Sequence, residues 1–267
     1  NEWFFKEAYM EVITVANNKG GVGKTMKCYQ LSCYLASIGK KVLVIDLDSQ
    51  ANLSSTFGVQ VQRTLIPEWL IGDASMDEIL LSSEGVDEFH QNISIIPSSR
   101  HLANLSKLLI LSEAEVRKEA GRKERLLKIR IEEIAKGLFD YIVIDTPPML
   151  GDELIMALVA SNRILIPTQA QDYSIDGLEE LLDTFEIIKD TENPDLEFNI
   201  IPNLVNTRRK IEKQRLEELS QSFNITPPIR NLVQMQESIS SGVPVCMQKW
   251  NSEGKKDYDA LWKALDL

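Results

Sequence analysis

The sequence predicts an α/β protein: a doubly wound, mostly parallel sheet with helices on both faces, of the kind built around a phosphate-binding loop. Three observations lead there. Short, continuously apolar runs rich in Val and Ile alternate with amphipathic stretches, the pattern of a sheet covered on both sides. The first run leads straight into Lys19-Gly20-Gly21-Val22-Gly23-Lys24-Thr25. Two later runs end in acids, at Asp46 (with Asp48 two residues on) and at Asp145.

The elements follow in order. Residues 12–16 read as a first buried strand, followed by the glycine loop and a helix over 24–38 that Gly39 should end, since glycine tolerates positive φ. Residues 42–45 are a second, β-branched strand and 93–96 a third, closed by Pro97. Residues 102–137 are expected to be helical. Their charge-dense middle, 113–130, interleaves Arg and Lys with Glu at helical spacing and reads as a solvated face. Residues 141–144 give the most apolar strand, expected at the centre of the sheet. A strand at 164–166, a helix at 175–188, a strand at 198–201 running on to 205, and a basic helix at 208–220 come next. A last helix at 255–265 sets Tyr258, Leu261, Trp262 and Leu265 on one side as a packing face. No linker or repeat divides the chain, so 10–267 reads as one domain. Residues 1–9, with Trp3, Phe4 and Phe5, read as an extension.

Composition narrows the classes. A chain of 267 residues with 43% hydrophobic and 26% charged residues suits a soluble globular protein. No apolar run approaches the roughly 20 residues that span a bilayer. Cys28, Cys33 and Cys246 form neither a metal spacing nor an even disulfide set, which suits reduced thiols in a cytoplasmic protein. A net charge of −11 argues against a surface that binds nucleic acid everywhere, and confines any DNA contact to a local, salt-sensitive patch.

The loop defines the chemistry. A glycine pattern between a strand and a helix is a phosphate site: Gly20, Gly21, Val22 and Gly23 let successive N–H groups turn inward, and the helix N-terminus adds its partial positive charge. Lys24 supplies an ammonium for the β- and γ-phosphates, and the Thr25 hydroxyl an oxygen ligand for Mg²⁺. Asp145 should hold the metal through a water, and Asp48 should orient the attacking water and reach the metal through its water shell. Asp46 should lie one layer further from the phosphates.

Together, the KGGVGKT loop with its leading lysine, the segment VIDLDSQAN and the segment YIVIDTPP resemble the deviant Walker A ATPases of the ParA/MinD family, closest to the short ParA-type partition ATPases. The resemblance continues through Ile164-Leu165-Ile166-Pro167-Thr168, Ile201-Pro202-Asn203-Leu204-Val205-Asn206 and Gly242-Val243-Pro244. It implies that Lys19 reaches across a nucleotide-sandwich homodimer to the partner's phosphates, so that ATP joins the dimer and hydrolysis releases it. It also implies that Asn206 and the backbone near Pro228 lie by the adenine. Three departures stand out. Met26 replaces a hydroxyl expected on the α-phosphate, a loss of about 1 kcal/mol. Ser49 replaces the proline common after the second acid. Gln234 stands where many relatives carry a DNA-contacting arginine.

Relatives of this type bind DNA without sequence preference as ATP dimers and answer to a ParB-like or other centromere-binding protein. The matching patch here is Arg208, Arg209, Lys210, Lys213 and Arg215, with Arg230 nearby, and Arg209 and Lys213 expected on one helix face. The resemblance therefore implies a cytoplasmic, nucleoid-associated, slowly hydrolysing ATP switch for plasmid or chromosome partition. Its rivals are a MinD-like positioning ATPase and an amidoligase on the same loop. The acidic tail, with Asp257, Asp259 and Asp266 against Lys263, speaks against membrane attachment.

Overall fold

The structure, a computed structural model, describes residues 10–82, 91–134, 137–169, 175–233, 237–238, 243–248 and 252–267. The Val- and Ile-rich runs form β1 (Glu11–Val15), β2 (Val42–Asp46), β4 (Ile93–Ile96), β5 (Tyr141–Asp145), β6 (Arg163–Gln169) and β7 (Glu197–Asn203), with a two-residue β3 (Leu81–Ser82). They lie in one sheet in the order β3-β4-β2-β5-β1-β6-β7. All neighbours pair in parallel except the edge strand β3, which runs antiparallel to β4. The most apolar strand, β5, takes the middle place, as its sequence predicts.

Alternate residues feed opposite faces, which is why the runs are apolar throughout. Ile13, Val15, Val44 and Val143 pack under α1 (Lys24–Ser37) and α11 (Glu253–Ala264), whereas Val12, Leu43, Ile45 and Ile144 pack under α3 (Ile66–Leu70), α5 (Leu105–Leu111), α7 (Leu126–Glu132) and α8 (Asp152–Ala160). A third cluster joins β6 and β7 to α8, α9 (Ile175–Thr191) and α10 (Lys210–Ser222). Tyr258, Leu261, Trp262 and Leu265 are all buried as expected, and the Trp262 ring stacks on Tyr34 at 5.7 Å. Burying a large side chain of this kind contributes about 2–3 kcal/mol.

Several expectations are corrected. The helical run after residue 100 is not continuous: a 3₁₀ turn (Arg100–Asn104), α5, α6 (Glu113–Ala120), another 3₁₀ turn (Lys123–Arg125) and α7 follow one another, broken at Ser112 and at Gly121, whose φ is 70°. Nor is its charge wholly solvated. Arg130 is buried on Glu119 and Glu133, and Arg122 and Arg125 both grip Glu192 at the end of α9. α8 went unforeseen because it is apolar all round: Met156 and Ala157 serve one core while Leu154 and Leu158 serve another. The short α2 (Asn52–Thr56), α3 and α4 (Met76–Ile79) hold too few turns to show a period. Residues 1–9 and Gln234 lie outside the described residues.

Lys27 is the exception within the α1 core. It is 1% exposed, and its ammonium donates to Asn203 Oδ1 at 2.7 Å and to Tyr258 Oη at 2.9 Å. Burial draws its pKa from 10.5 down to about 7, against the pull of Asp257. The unfolded chain therefore keeps this proton through a window in which the folded chain has released it, and stability contributed there rises with pH. Wild type is expected to gain stability relative to Lys27→Met as pH goes from about 7 toward 10. Denaturant unfolding at each pH reads this, and curves that stay parallel would refute a buried charge at Lys27.

Candidate functional site: a phosphate cradle at the ends of three strands

The parallel register sets Val15 beside Asp145 and Asp145 beside Asp46, so the carboxyl ends of β1, β5 and β2 meet at one place. That is where open α/β sheets bind ligands. The loop between β1 and α1 curls because Gly21 and Gly23 take φ of 75° and 93°, which side chains resist. At Gly23 space also demands glycine, since a Cβ would lie 2.5 Å from Asn203 Nδ2. No side chain caps α1, whose first residues Lys24, Thr25 and Met26 line the cleft, so the N–H groups of its first turn are available to an anion there.

Side chains from neighbouring strand ends brace the curl. Asn17 accepts from the Lys19 N–H at 2.9 Å and donates to the Pro167 carbonyl at 2.9 Å. Gln169 donates to the Gly21 carbonyl at 2.6 Å, and Asn203 to the Val22 carbonyl at 2.7 Å. Lys24 is 7% exposed and its ammonium donates to the Lys19 carbonyl at 3.0 Å. Burial lowers the Lys24 pKa, while Asp145 and Asp48 hold it up.

The acids divide as their surroundings dictate. Asp145 is fully buried and accepts from the Thr25 hydroxyl through Oδ2 at 2.7 Å, while its buried Oδ1 has no hydrogen-bond partner among the described residues. Burial, then the charge of Asp46, pushes its pKa up to about 8. Asp46 is pushed up to about 6, chiefly by burial, and is engaged by the Ser54 hydroxyl and N–H and by the Asp48 N–H. Two adjacent buried carboxylates with one oxygen unanswered fit a bound cation, and an all-oxygen set with Thr25 suits Mg²⁺ over softer metals. No three Asp, Glu, His or Cys among the described residues could hold a metal alone. Phosphate oxygens and water would have to complete the shell. Asp48, 8% exposed, accepts the Gln50 N–H at 2.9 Å and lines the cleft.

That cleft, about 690 Å³, is lined by Gly20, Gly21, Gly23, Lys24, Thr25, Met26 and Asp48 from the predicted set. Tyr29, Gln50, Asn52, Ser55, Thr56 and Pro148, none singled out from sequence, line it too. Val22 faces inward, 1% exposed. Asn206 and Pro228 are not among the lining residues. The chain at Val205 is laddered to Ile229 and Asn231, and the Asn206 N–H is held by Glu212. The bracing residues Asn17, Gln169 and Asn203 were missed. Their one sequence signal is a polar side chain directly after an apolar strand.

The basic residues are not equivalent. Arg208, Lys210 and Lys213 are exposed, and Arg215 is half-buried. Arg209 is the extended N-cap of α10, whose first residue, Lys210, comes two residues later than the expected start; its carbonyl accepts the Lys213 N–H at 3.3 Å and its side chain pairs with Glu212 at 3.4 Å. Glu212 is 1% exposed and accepts the Asn206 N–H at 2.7 Å. Arg230 is committed to Asp257 and Glu253.

Loop, uncapped helix and strand-end acids define a nucleotide-binding P-loop protein. Residues 10–198 match the family described as AAA domain. Over 259 residues the chain is 32% identical to the sporulation initiation inhibitor protein Soj of Bacillus subtilis (strain 168), covering 95% of this chain and 97% of that one. A plasmid partition protein from Borrelia burgdorferi B31, solved with AMPPNP, is similar at 26% identity and a TM-score of 0.76, over 96% of this chain and 98% of that one. Cobyrinic acid a,c-diamide synthase from Mycobacterium smegmatis, solved with an ATP analogue and magnesium, is similar at 25% identity and a TM-score of 0.79, over 96% and 94%. The chain belongs to the ParA/Soj family of P-loop ATPases.

Met26 lines the cleft, and its sulfur accepts from Gln30 Nε2 at 3.2 Å, so it offers no donor to a ligand. Met26→Thr is expected to tighten ATP binding about fivefold, the worth of one hydrogen bond. Calorimetric titration with Mg–ATP tests this, and unchanged affinity would mean that backbone donors already suffice.

Proposed function

We propose that the chain is an ATP-driven dimerisation switch acting in DNA partition. The observation that carries it is the cradle itself: the braced glycine loop, Lys24 and the Thr25–Asp145 pair come together at one cleft. In this reading the loop holds the β- and γ-phosphates, and Lys24 and the α1 N-terminus stabilise charge that develops on them. Asp48 orients the attacking water. Mg²⁺, held by Thr25 and through water by Asp145, would screen the phosphate charge. Lys19 reaches the partner's nucleotide, so the dimer lasts while the triphosphate does. Hydrolysis is slow because, among the described residues, no arginine lines the site beside the lysines, and a centromere-binding protein of ParB type supplies the trigger.

Nonspecific DNA is the proposed track, met by Arg208, Lys210 and Lys213 and doubled by dimerisation. Arg209 and Arg230 contribute less, because acids already neutralise them. Cytoplasmic, nucleoid-associated placement follows. No helix among the described residues is long and apolar enough to cross a membrane. The likeness to the diamide synthase supports one rival, ATP-dependent amidation of a carboxylate, which turnover with small carboxylates and an amide-nitrogen donor would reveal.

Two outcomes are expected. Wild type with Mg–ATP sediments as a dimer and Lys19→Ala as a monomer that still binds nucleotide, whereas a wild type monomeric at saturating Mg–ATP would end the sandwich reading. Lys210→Glu combined with Lys213→Glu weakens binding to random-sequence DNA at least tenfold near 0.1 M salt and flattens its salt dependence. Retained binding in that variant would clear α10 of the role.

A further inference from the structure

Asn203 stands at the end of β7, outside the loop, yet meets it at two points. Its Nδ2 donates to the Val22 carbonyl at 2.7 Å, and the same nitrogen occupies the space a Gly23 side chain would need. Its Oδ1 accepts from Lys27 Nζ at 2.7 Å, and Lys27 is anchored in turn on Tyr258 Oη at 2.9 Å. Asn203 is 2% exposed, Lys27 1% and Tyr258 2%, so water takes little part.

Chemistry allows this amide one orientation. The Val22 carbonyl can only accept, so the nitrogen must face it. The oxygen then needs a donor, which Lys27 Nζ supplies; a flipped amide would set its oxygen against the Val22 carbonyl, two acceptors face to face. We propose that Asn203 and Lys27 are positioning residues for the phosphate loop: Asn203 clamps the Val22 carbonyl outward, and Lys27 fixes which way round the amide sits. With that carbonyl pulled toward β7, the peptide unit that follows it turns its Gly23 N–H the opposite way, toward the cleft. The Gly23–Asn203 contact ties the second requirement of the loop to the same side chain. The clamp rests on the nucleotide reading above and extends it to residues that touch no phosphate.

Asn203→Asp separates positioning from stability. Its carboxylate keeps Lys27 satisfied but offers the Val22 carbonyl no donor. Mg–ATP affinity and the thermal midpoint are measured for wild type, Lys24→Ala, Asn203→Asp and Lys27→Met. The expected result is a loss of affinity of about tenfold or more in Asn203→Asp with a midpoint within a few degrees of wild type, and a severalfold loss in Lys27→Met. Wild-type affinity in Asn203→Asp overturns the clamp, as does an affinity that falls only in step with the midpoint. Should Asn203→Asp not fold, wild-type affinity in Lys27→Met overturns it instead. A wild type indistinguishable from Lys24→Ala in binding Mg–ATP would bring down the nucleotide reading itself and the clamp with it.

Discussion

Two carboxylates on neighbouring strands, Asp46 and Asp145, are held in register and out of water. Neither can carry its charge comfortably: burial raises both, the charge of Asp46 raises Asp145 further, and that of Asp48 raises Asp46. The protein meets half of this demand internally, since Asp46 collects three donors from Ser54 and Asp48. Asp145 collects one, from Thr25, and keeps one oxygen unanswered. The asymmetry assigns the two acids different work. Asp46 shapes the turn that carries Asp48, and Asp145 keeps an oxygen that a cation would satisfy.

The same asymmetry links the ligand to the segment after β2. Ser54 bonds Asp46, and the Ser98 N–H bonds Ser54, while Ala51 sits in the left-handed region at φ 54° with its N–H on the Asp48 carbonyl. The acid facing the cleft is therefore mounted on a strained turn pinned from below by a buried acid. An event that alters charge at Asp145 is felt next door at Asp46, and through Ser54 by the residues that line the cleft wall.

The sheet and the loop were legible in the sequence because their signals are local. A strand buried on both faces is apolar throughout, and a loop that must curl needs Gly21 and Gly23. The most apolar strand went to the middle of the sheet, as burial on both sides requires. Long-range partners were not legible. Nothing near Arg130 announces that Glu119, 11 residues away, will meet it in the core, and nothing near Arg230 announces Asp257, 27 residues away. α8 hid its period by facing two cores. The braces Asn17, Gln169 and Asn203 are ordinary polar residues whose meaning comes only from the strand order, which sets β6 beside β1 and β7 beside β6.

That dependence explains why the loop is so well held for so little sequence. A glycine-rich curl is entropically expensive to order, and its glycines forfeit the side chains that could have fixed it. The fold supplies the missing side chains from elsewhere: Asn17 from the loop's own entry, Gln169 from β6, Asn203 from β7. Each acts on a carbonyl or N–H of the loop and leaves the inward N–H groups for the ligand. Order is thus installed before the nucleotide arrives, and less of its binding energy goes into organising the backbone. Lys27 carries the idea one layer deeper, because it costs stability to bury and returns a fixed amide where β7 meets the loop.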